Sequence, residues 1–350
     1  NNNSILLDTN LLMIKDLVIA GNNQSLSINS DILKGEKDSL NLIFNKFSLD
    51  QLNALLKTSA LNMSGKINGD LNLKGLYTSL YFDAELNITD WKVNNQDFGN
   101  ANITSNFDTE MECIHVTLQS NLEKDNHTIS PLTVSGEFFP MKNDNNLDFD
   151  INFDGFSLKS LEPFLSSFSS RFEGDLHGQL SIAGSIKQPQ ITGSTMIDNG
   201  MLKVDYSNTA YFFADSIMID NQNIVFNNFR IKDEKDNIAY INGNIYHQFL
   251  KNFRFDIRMN TDNLLIVNTT QSDNLPFYGT VYAKANVLVG GTDKNITIDV
   301  DSKTNNNSNI SIPINDKKML TAQNFIQFVQ RDSVKEENLS FFERNRKNKK

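Results

Sequence analysis

Little in this chain could cross-link it, kink it or thread it through a bilayer. Its 350 residues contain one cysteine, Cys113, so no internal disulfide framework is possible. Only 6 prolines interrupt it, which leaves room for long strands. No apolar run approaches the ~18 residues that a membrane-spanning helix needs, so no part of the chain is expected to cross a bilayer. Cations are in deficit as well: 32 Lys and Arg face 42 Asp and Glu, for a formal net charge of −10. The one basic cluster is terminal, Arg344, Arg346, Lys347, Lys349 and Lys350. Phosphate neutralisation needs clustered cations along a surface, so a nucleic-acid partner is not expected. The chain opens Asn1-Asn2-Asn3-Ser4, without an initiator Met or an apolar leader. It reads as a segment whose signal or anchor lies upstream or has been removed.

What the chain does have is Asn, Phe (25 against a single Trp) and a strand pattern that repeats. In the stretch 174–184, Leu176, Leu180 and Ile182 alternate with Asp175, His177, Gln179 and Ser181, with Gly174, Gly178 and Gly184 on the apolar side. A strand sends successive side chains to opposite faces, so one face is greasy and the other wet. The same arrangement appears at 65–75, with Gly65, Ile67, Gly69, Leu71, Leu73 and Gly75, and more loosely from Gly279.

Each marker strand is preceded by the same succession. An apolar strand (Leu40, Leu42 and Phe44, then Phe149, Ile151 and Phe153) is followed by Phe-Ser-Leu at 47 and 156, with leucines at helical spacing. Ser48 is a plausible N-cap for the first of these helices. Three features recur at an offset of 109, and a third copy, with Phe255, Ile257 and Met259 before Gly279, follows at 105 to 106. Registers kept over such distances define a repeat. The divisions are residues 1–39 as the end of a preceding repeat, 40–148 with a helix at 48–61, and 149–254 with a helix at 157–170. A partial third repeat covers 255–330, with 263–266 in the connector position and a short helix near 321–329, before a charged tail at 331–350.

Within a repeat the strands are joined by only a few residues. Parallel neighbours need crossovers of about a dozen, so the sheet is expected to be mostly antiparallel. The one-faced sheet must then cover its apolar side. Either two sheets close into a dry sandwich, as in an adhesin, or one long sheet curls lengthwise and keeps that face for a guest. Strands of ten or eleven residues with glycines at Gly65, Gly69, Gly75, Gly174, Gly178, Gly184 and Gly279 suit the second course, since glycine permits the bends.

Enzymatic readings find little support. His115, His127, His177 and His247 fall on separate strands or turns, and there is no nucleophile elbow, P-loop or dinucleotide fingerprint. Cys113 and His115 share a strand face as two possible metal ligands, with no third at suitable spacing. A half-buried thiol beside a surface histidine accounts for them. Asp148 with Asp150, and Asp299 with Asp301, alternate against apolar neighbours as a solvated face does. No catalytic residue, metal site or cofactor is expected.

The same residues carry a family resemblance. The order of apolar strand, Phe-Ser-Leu helix and Gly-x-Leu-x-Gly-x-Leu-x-Ile-x-Gly strand, over about residues 40–330, resembles the TamB-like and AsmA-like family. The stretch from Gly184 through Pro189 to Gly193, with Leu202, Val204, Tyr206, Phe213 and Phe226, resembles the Bacteroidetes type of translocation and assembly module. The resemblance implies an all-β fold with short connecting helices, curled into a U-shaped groove (a β-taco) built from repeats of about 105–109 residues. It also implies a non-enzymatic bridge anchored in the inner membrane and crossing the periplasm of a diderm bacterium. The groove would hold phospholipid acyl chains, lined by Ile67, Leu71, Leu73, Phe149, Ile151, Phe153, Leu176, Leu180, Ile182, Phe255, Ile257 and Met259. An outer-membrane barrel of the TamA/BamA type would be met through a C-terminal part that this chain is expected to stop short of. A scaffold or chaperone that pairs its sheet edges with nascent barrel strands is the alternative.

Overall fold

A computed structural model describes residues 3–8, 11–33, 38–55, 61–76, 79–248, 251–273 and 276–313. The body that follows is the unit Asn1–Ser311; of the second unit, Ile312–Lys350, only Ile312 and Pro313 are described. The helix expected near 321–329, the tail at 331–350 and part of the helix expected at 48–61 lie outside the described residues.

Twenty strands make one sheet: β1 (Ser4–Asp8), β2 (Leu11–Gly21), β3 (Gln24–Leu33), β4 (Ser39–Ser48), β5 (Met63–Lys74), β6 (Tyr81–Val93), β7 (Gln96–Asp108), β8 (Cys113–Lys124), β9 (His127–Ile129), β10 (Thr133–Phe138), β11 (Leu147–Ser157), β12 (Ser169–Ser185), β13 (Gln188–Val204), β14 (Thr209–Asp220), β15 (Asn223–Lys232), β16 (Ile238–Gln248), β17 (Lys251–Thr269), β18 (Tyr278–Thr292), β19 (Asn295–Thr304) and β20 (Asn309–Ser311). Every pairing is antiparallel, as short connections require. Each strand pairs with the next in sequence. Strands β9 and β10 share β8, and β19 and β20 share β18, so each couple acts as one interrupted strand. Among the described residues nothing pairs β1 with β19 or β20, and the sheet is not closed into a barrel.

The sheet nevertheless curls. Phe82 on β6 and Phe138 on β10 are three strands apart, about 14 Å on a flat sheet, yet their rings stack at 6.2 Å. Phe98 on β7 meets Phe156 on β11 at 5.2 Å, and the Tyr211 hydroxyl on β14 donates to the Leu265 carbonyl on β17 at 3.0 Å. Glycine helps where backbones close in. Gly178 sits at φ +131, and a Cβ there would lie 2.5 Å from the Ser194 carbonyl oxygen; Gly69, its counterpart one repeat earlier, is crowded in the same way by Glu85.

Asparagine shapes much of the rest. Asn22-Asn23, Asn94-Asn95 and Asp125-Asn126 form two-residue turns with φ positive at both positions, as the hairpin twist demands. Asparagine also caps bulges, where two residues oppose one and the extra residue takes a positive φ. The N–H of Asp16 donates to Asn29 Oδ1 at 2.8 Å, that of Lys46 to Asn68 Oδ1 at 2.8 Å, that of Asp90 to Asn100 Oδ1 at 3.2 Å and that of Asn228 to Asn242 Oδ1 at 2.8 Å.

The connectors differ from their expected form. The first is a 3-10 turn, Leu49–Leu55, in place of an amphipathic α-helix through 61, over the residues described. Ser48 does not cap it by accepting a backbone N–H: its hydroxyl donates to Asp50 Oδ2 at 2.7 Å. The second is a 3-10 turn, Leu158–Leu161, followed by one α-helical turn, Glu162–Leu165, and β12 begins at Ser169, so the expected span 157–170 is cut short. Pro163 cannot donate a backbone hydrogen bond, which suits only the first turn of a helix. In the third repeat the connector position 263–266 is strand: β17 runs through it to Thr269, and only Gln271–Asp273 turns.

Candidate functional site: the apolar face of the sheet

Pairing register places one residue from each of seventeen strands in a single row. From β2 to β19 it reads Ile19, Leu26, Phe44, Gly69, Leu86, Ile103, Leu118, Val134, Ile151, Leu180, Gly193, Ile219, Ile224, Ile245, Phe255, Gly291 and Ile296. Every member is apolar or glycine. At ~4.8 Å per strand the row extends roughly 75 Å along the hydrogen-bonding direction. From β5 to β13 the neighbouring residues on each strand face the other way and are polar: Asp70, Glu85, Thr104, Thr117, Ser135, Asp150, Ser181 and Thr192 oppose one another in turn. There Ser181 donates to Asp150 Oδ1 at 2.7 Å, and the Thr104 and Thr117 hydroxyls bond at 2.6 Å.

The structure puts the twelve residues expected to line a groove on this apolar face. Ile151, Leu180 and Phe255 belong to the central row. Leu71, Leu73, Phe149 and Ile182 lie to one side of it, and Ile67, Phe153, Leu176, Ile257 and Met259 lie toward the rim that carries the connectors. Ile67 is buried in a core, and the other eleven are half-buried. The expected list missed the row's side chains on β2 to β4, β6 to β8, β10, β14 to β16 and β19, where strict alternation around Ile103, Leu118 and Ile219 was an available signal.

Burial across the face is uneven. One continuous core gathers Phe47, Leu49, Ile88, Trp91 and Phe98 on the connector side, with Phe98 1% exposed. A second gathers Phe229, Ile231, Ala239 and Leu264, the last 0% exposed. Asp233, only 3% exposed, fixes the turn beside the second core. Its carboxylate accepts from the N–H groups of Lys235, Asn237 and Leu265 and from Asn237 Nδ2, at 2.8 to 3.0 Å. Along the far rim, between β6 and β10, the half-buried Phe82 and Phe138 stack, and Phe138 lies opposite the fully buried Ile114. Between these packed zones the central row stays half-open from Ile103 to Phe255.

Cys113 is fully buried, rather than half-buried, with Sγ 3.8 Å from His115 Nε2. Burial first, then the charges of Glu137 and Asp108, push its thiol pKa up, away from the nucleophilic thiolate. His115 lies 3.5 Å from both Asp108 and Glu137. Burial pushes the His247 imidazole down. Among the described residues no group of three or more His, Cys, Asp or Glu is placed to hold a metal ion, and no helix is long and apolar enough to cross a membrane.

Two family models match the chain. The model described as the TamB N-terminal domain covers residues 4–197, more than half of the chain, and the TamB C-terminal domain covers residues 226–350. The second match corrects the expectation that the chain stops short of that domain. Comparison with curated proteins and with solved structures returns no significant match.

Proposed function

The chain belongs to the TamB family, and from that footing we propose that its apolar face holds or conducts phospholipid acyl chains between the inner and outer membranes of a diderm bacterium, supporting outer-membrane biogenesis. The observation that carries this reading is the unbroken row from Ile19 to Ile296, half-open through its middle and, among the described residues, backed by no second sheet. An apolar strip of that length far exceeds the few hundred Å² that a monomer ordinarily exposes. Each CH₂ of an acyl chain shielded there is worth ~0.8 kcal/mol. The reading needs no covalent step and no catalytic residue; the protein acts by contact. It places the chain in the periplasm as part of an inner-membrane-anchored bridge, with a barrel of the TamA/BamA type as the outer-membrane partner. The glycines at Gly65, Gly69, Gly75, Gly174, Gly178, Gly184 and Gly279 then serve to bend strands around the guest.

A photo-crosslinking residue at position 180, in the central row, is expected to capture phospholipid in cells. The same residue at position 179, on the exposed polar face, is expected not to. Equal labelling at the two positions sinks the proposal. A sheet edge favours a second reading: Ile298, 63% exposed, lies on β19, which among the described residues pairs only with β18, and such an edge suits pairing with an unfolded barrel strand. That reading predicts crosslinks to barrel protein from β19 and no lipid at position 180.

A further inference from the structure

The first two repeats contain the same bulge, and the group that holds its free N–H differs. In the first, Lys46 takes a positive φ between Phe44 and Phe47, and its N–H is held by Asn68 Oδ1 at 2.8 Å. In the second, 109 positions on, Gly155 takes a positive φ between Phe153 and Phe156, and its N–H donates to Nδ1 of His177 at 3.2 Å. His177 stands 109 positions after Asn68, so an imidazole occupies the site of the amide. An amide oxygen accepts at any ordinary pH. An imidazole nitrogen accepts only while it carries no proton.

The surroundings of His177 supply an alternative partner for that nitrogen. Asp154 Oδ1, from β11, is 3.3 Å from Nδ1, and Asp198 Oδ2, from β13, is 3.8 Å from Nε2. On the same strand Asp175 is held at 3.4 Å by Lys124 of β8, which leaves it engaged elsewhere. Met196 lies opposite on β13 and contributes no charge. With Nδ1 bare, the ring accepts the Gly155 N–H. With Nδ1 protonated, it can only donate, and Asp154 is the acceptor within reach.

The geometry points to His177 as a proton-operated latch on the second repeat's bulge: protonation transfers Nδ1 from Gly155 to Asp154 and releases the bulge. The segment it would loosen is part of the apolar face. The bulge turns both Phe153 and Phe156 to that face, where their rings meet at 5.3 Å and Phe156 packs on Phe98. Histidine is the side chain whose charge ordinarily changes between about pH 5 and 8, which sets the range over which the latch is tested. The four bulges capped by asparagine do not respond.

Hydrogen exchange read by mass spectrometry on the whole chain tests this, at about pH 7.5 and about pH 5.5 after correction for intrinsic rates. Peptides over 153–157 are expected to lose protection roughly fivefold to tenfold at the lower pH, the loss of one hydrogen bond. Peptides over 44–48 serve as the internal control and are expected to keep theirs. His177→Asn installs the first repeat's cap and is expected to abolish the loss at 153–157, while Asn68→His is expected to create it at 44–48. A wild-type chain in which 153–157 and 44–48 respond alike overturns the inference. So does a His177→Asn chain that keeps the acid response, which would assign it to Asp154 or Asp198.

Discussion

The connector side of the apolar face and its central row are built from the same residue types and end in different states. Phe98 and Leu264 are dry, closed over by turns and by strands that curl back on them. Ile151 and Leu180 sit on the same face of the same sheet and stay half-open. Apolar composition therefore does not decide what is core here; the curl does. Where the sheet brings strands three apart into contact, its side chains fill the space. Where it does not, the strip keeps an open side.

That division sets an order of mutational cost. Phe98→Ala removes a ring packed between Trp91 and Phe156 and should destabilise the fold by ~3–5 kcal/mol, read by chemical denaturation. Asp233→Ala orphans the Leu265 and Asn237 N–H groups and should cost about 2–3 kcal/mol. Leu180→Ala removes a half-buried side chain and should cost only about 1 kcal/mol. If Leu180→Ala proves as damaging as Phe98→Ala, the central row is core and the distinction collapses. Leu180→Asp sharpens the comparison: a charge in the half-open row should leave the fold standing and lower copurifying phospholipid several-fold, roughly, as lipid mass spectrometry would show.

The antiparallel meander and the apolar face were legible from period-two alternation and short connections. Ile67, Ile151, Leu180 and Phe255 could be placed on one face because alternation is local. Which of them would be buried could not be read, because burial depends on contacts such as Phe98 with Phe156, set by curl over three strands. Short helical connectors after β4 and β11 were legible from leucines at 49, 52 and 55 and at 158 and 161, whereas the helix type was not: the first is 3-10 over Leu49–Leu55, and the second is 3-10 at Leu158–Leu161 with one α-helical turn at Glu162–Leu165. At 263–266 two adjacent leucines look like a helix fragment, and the bulge in β17 puts them into strand instead. Asparagine is legible in the sequence only as an abundance. Its two uses, positive-φ turns and bulge caps, emerge only when paired strands are seen together.

The smallest predicted effect concerns the seam that closes the second core. Tyr211 on β14 donates its hydroxyl to the Leu265 carbonyl on β17, which only a neutral phenol can do. Burial raises its pKa above the ordinary 10.0; the Thr209 hydroxyl offsets part of that rise, and the charge of Asp233 adds a lesser one. The folded state therefore holds this proton more tightly than the unfolded chain. Its stabilising contribution is complete below about pH 10 and is lost as pH climbs through the folded value. Tyr211→Phe should cost about 1 kcal/mol near neutrality. The gap between the two proteins should then narrow as pH rises from about 9 to about 11, because only the wild type has a proton to lose there. Urea denaturation across that range reads the difference directly. A gap that stays constant through pH 11 would mean that the hydroxyl contributes nothing to the seam, leaving packing of the ring beside Phe213 and Ile266 to close the sheet.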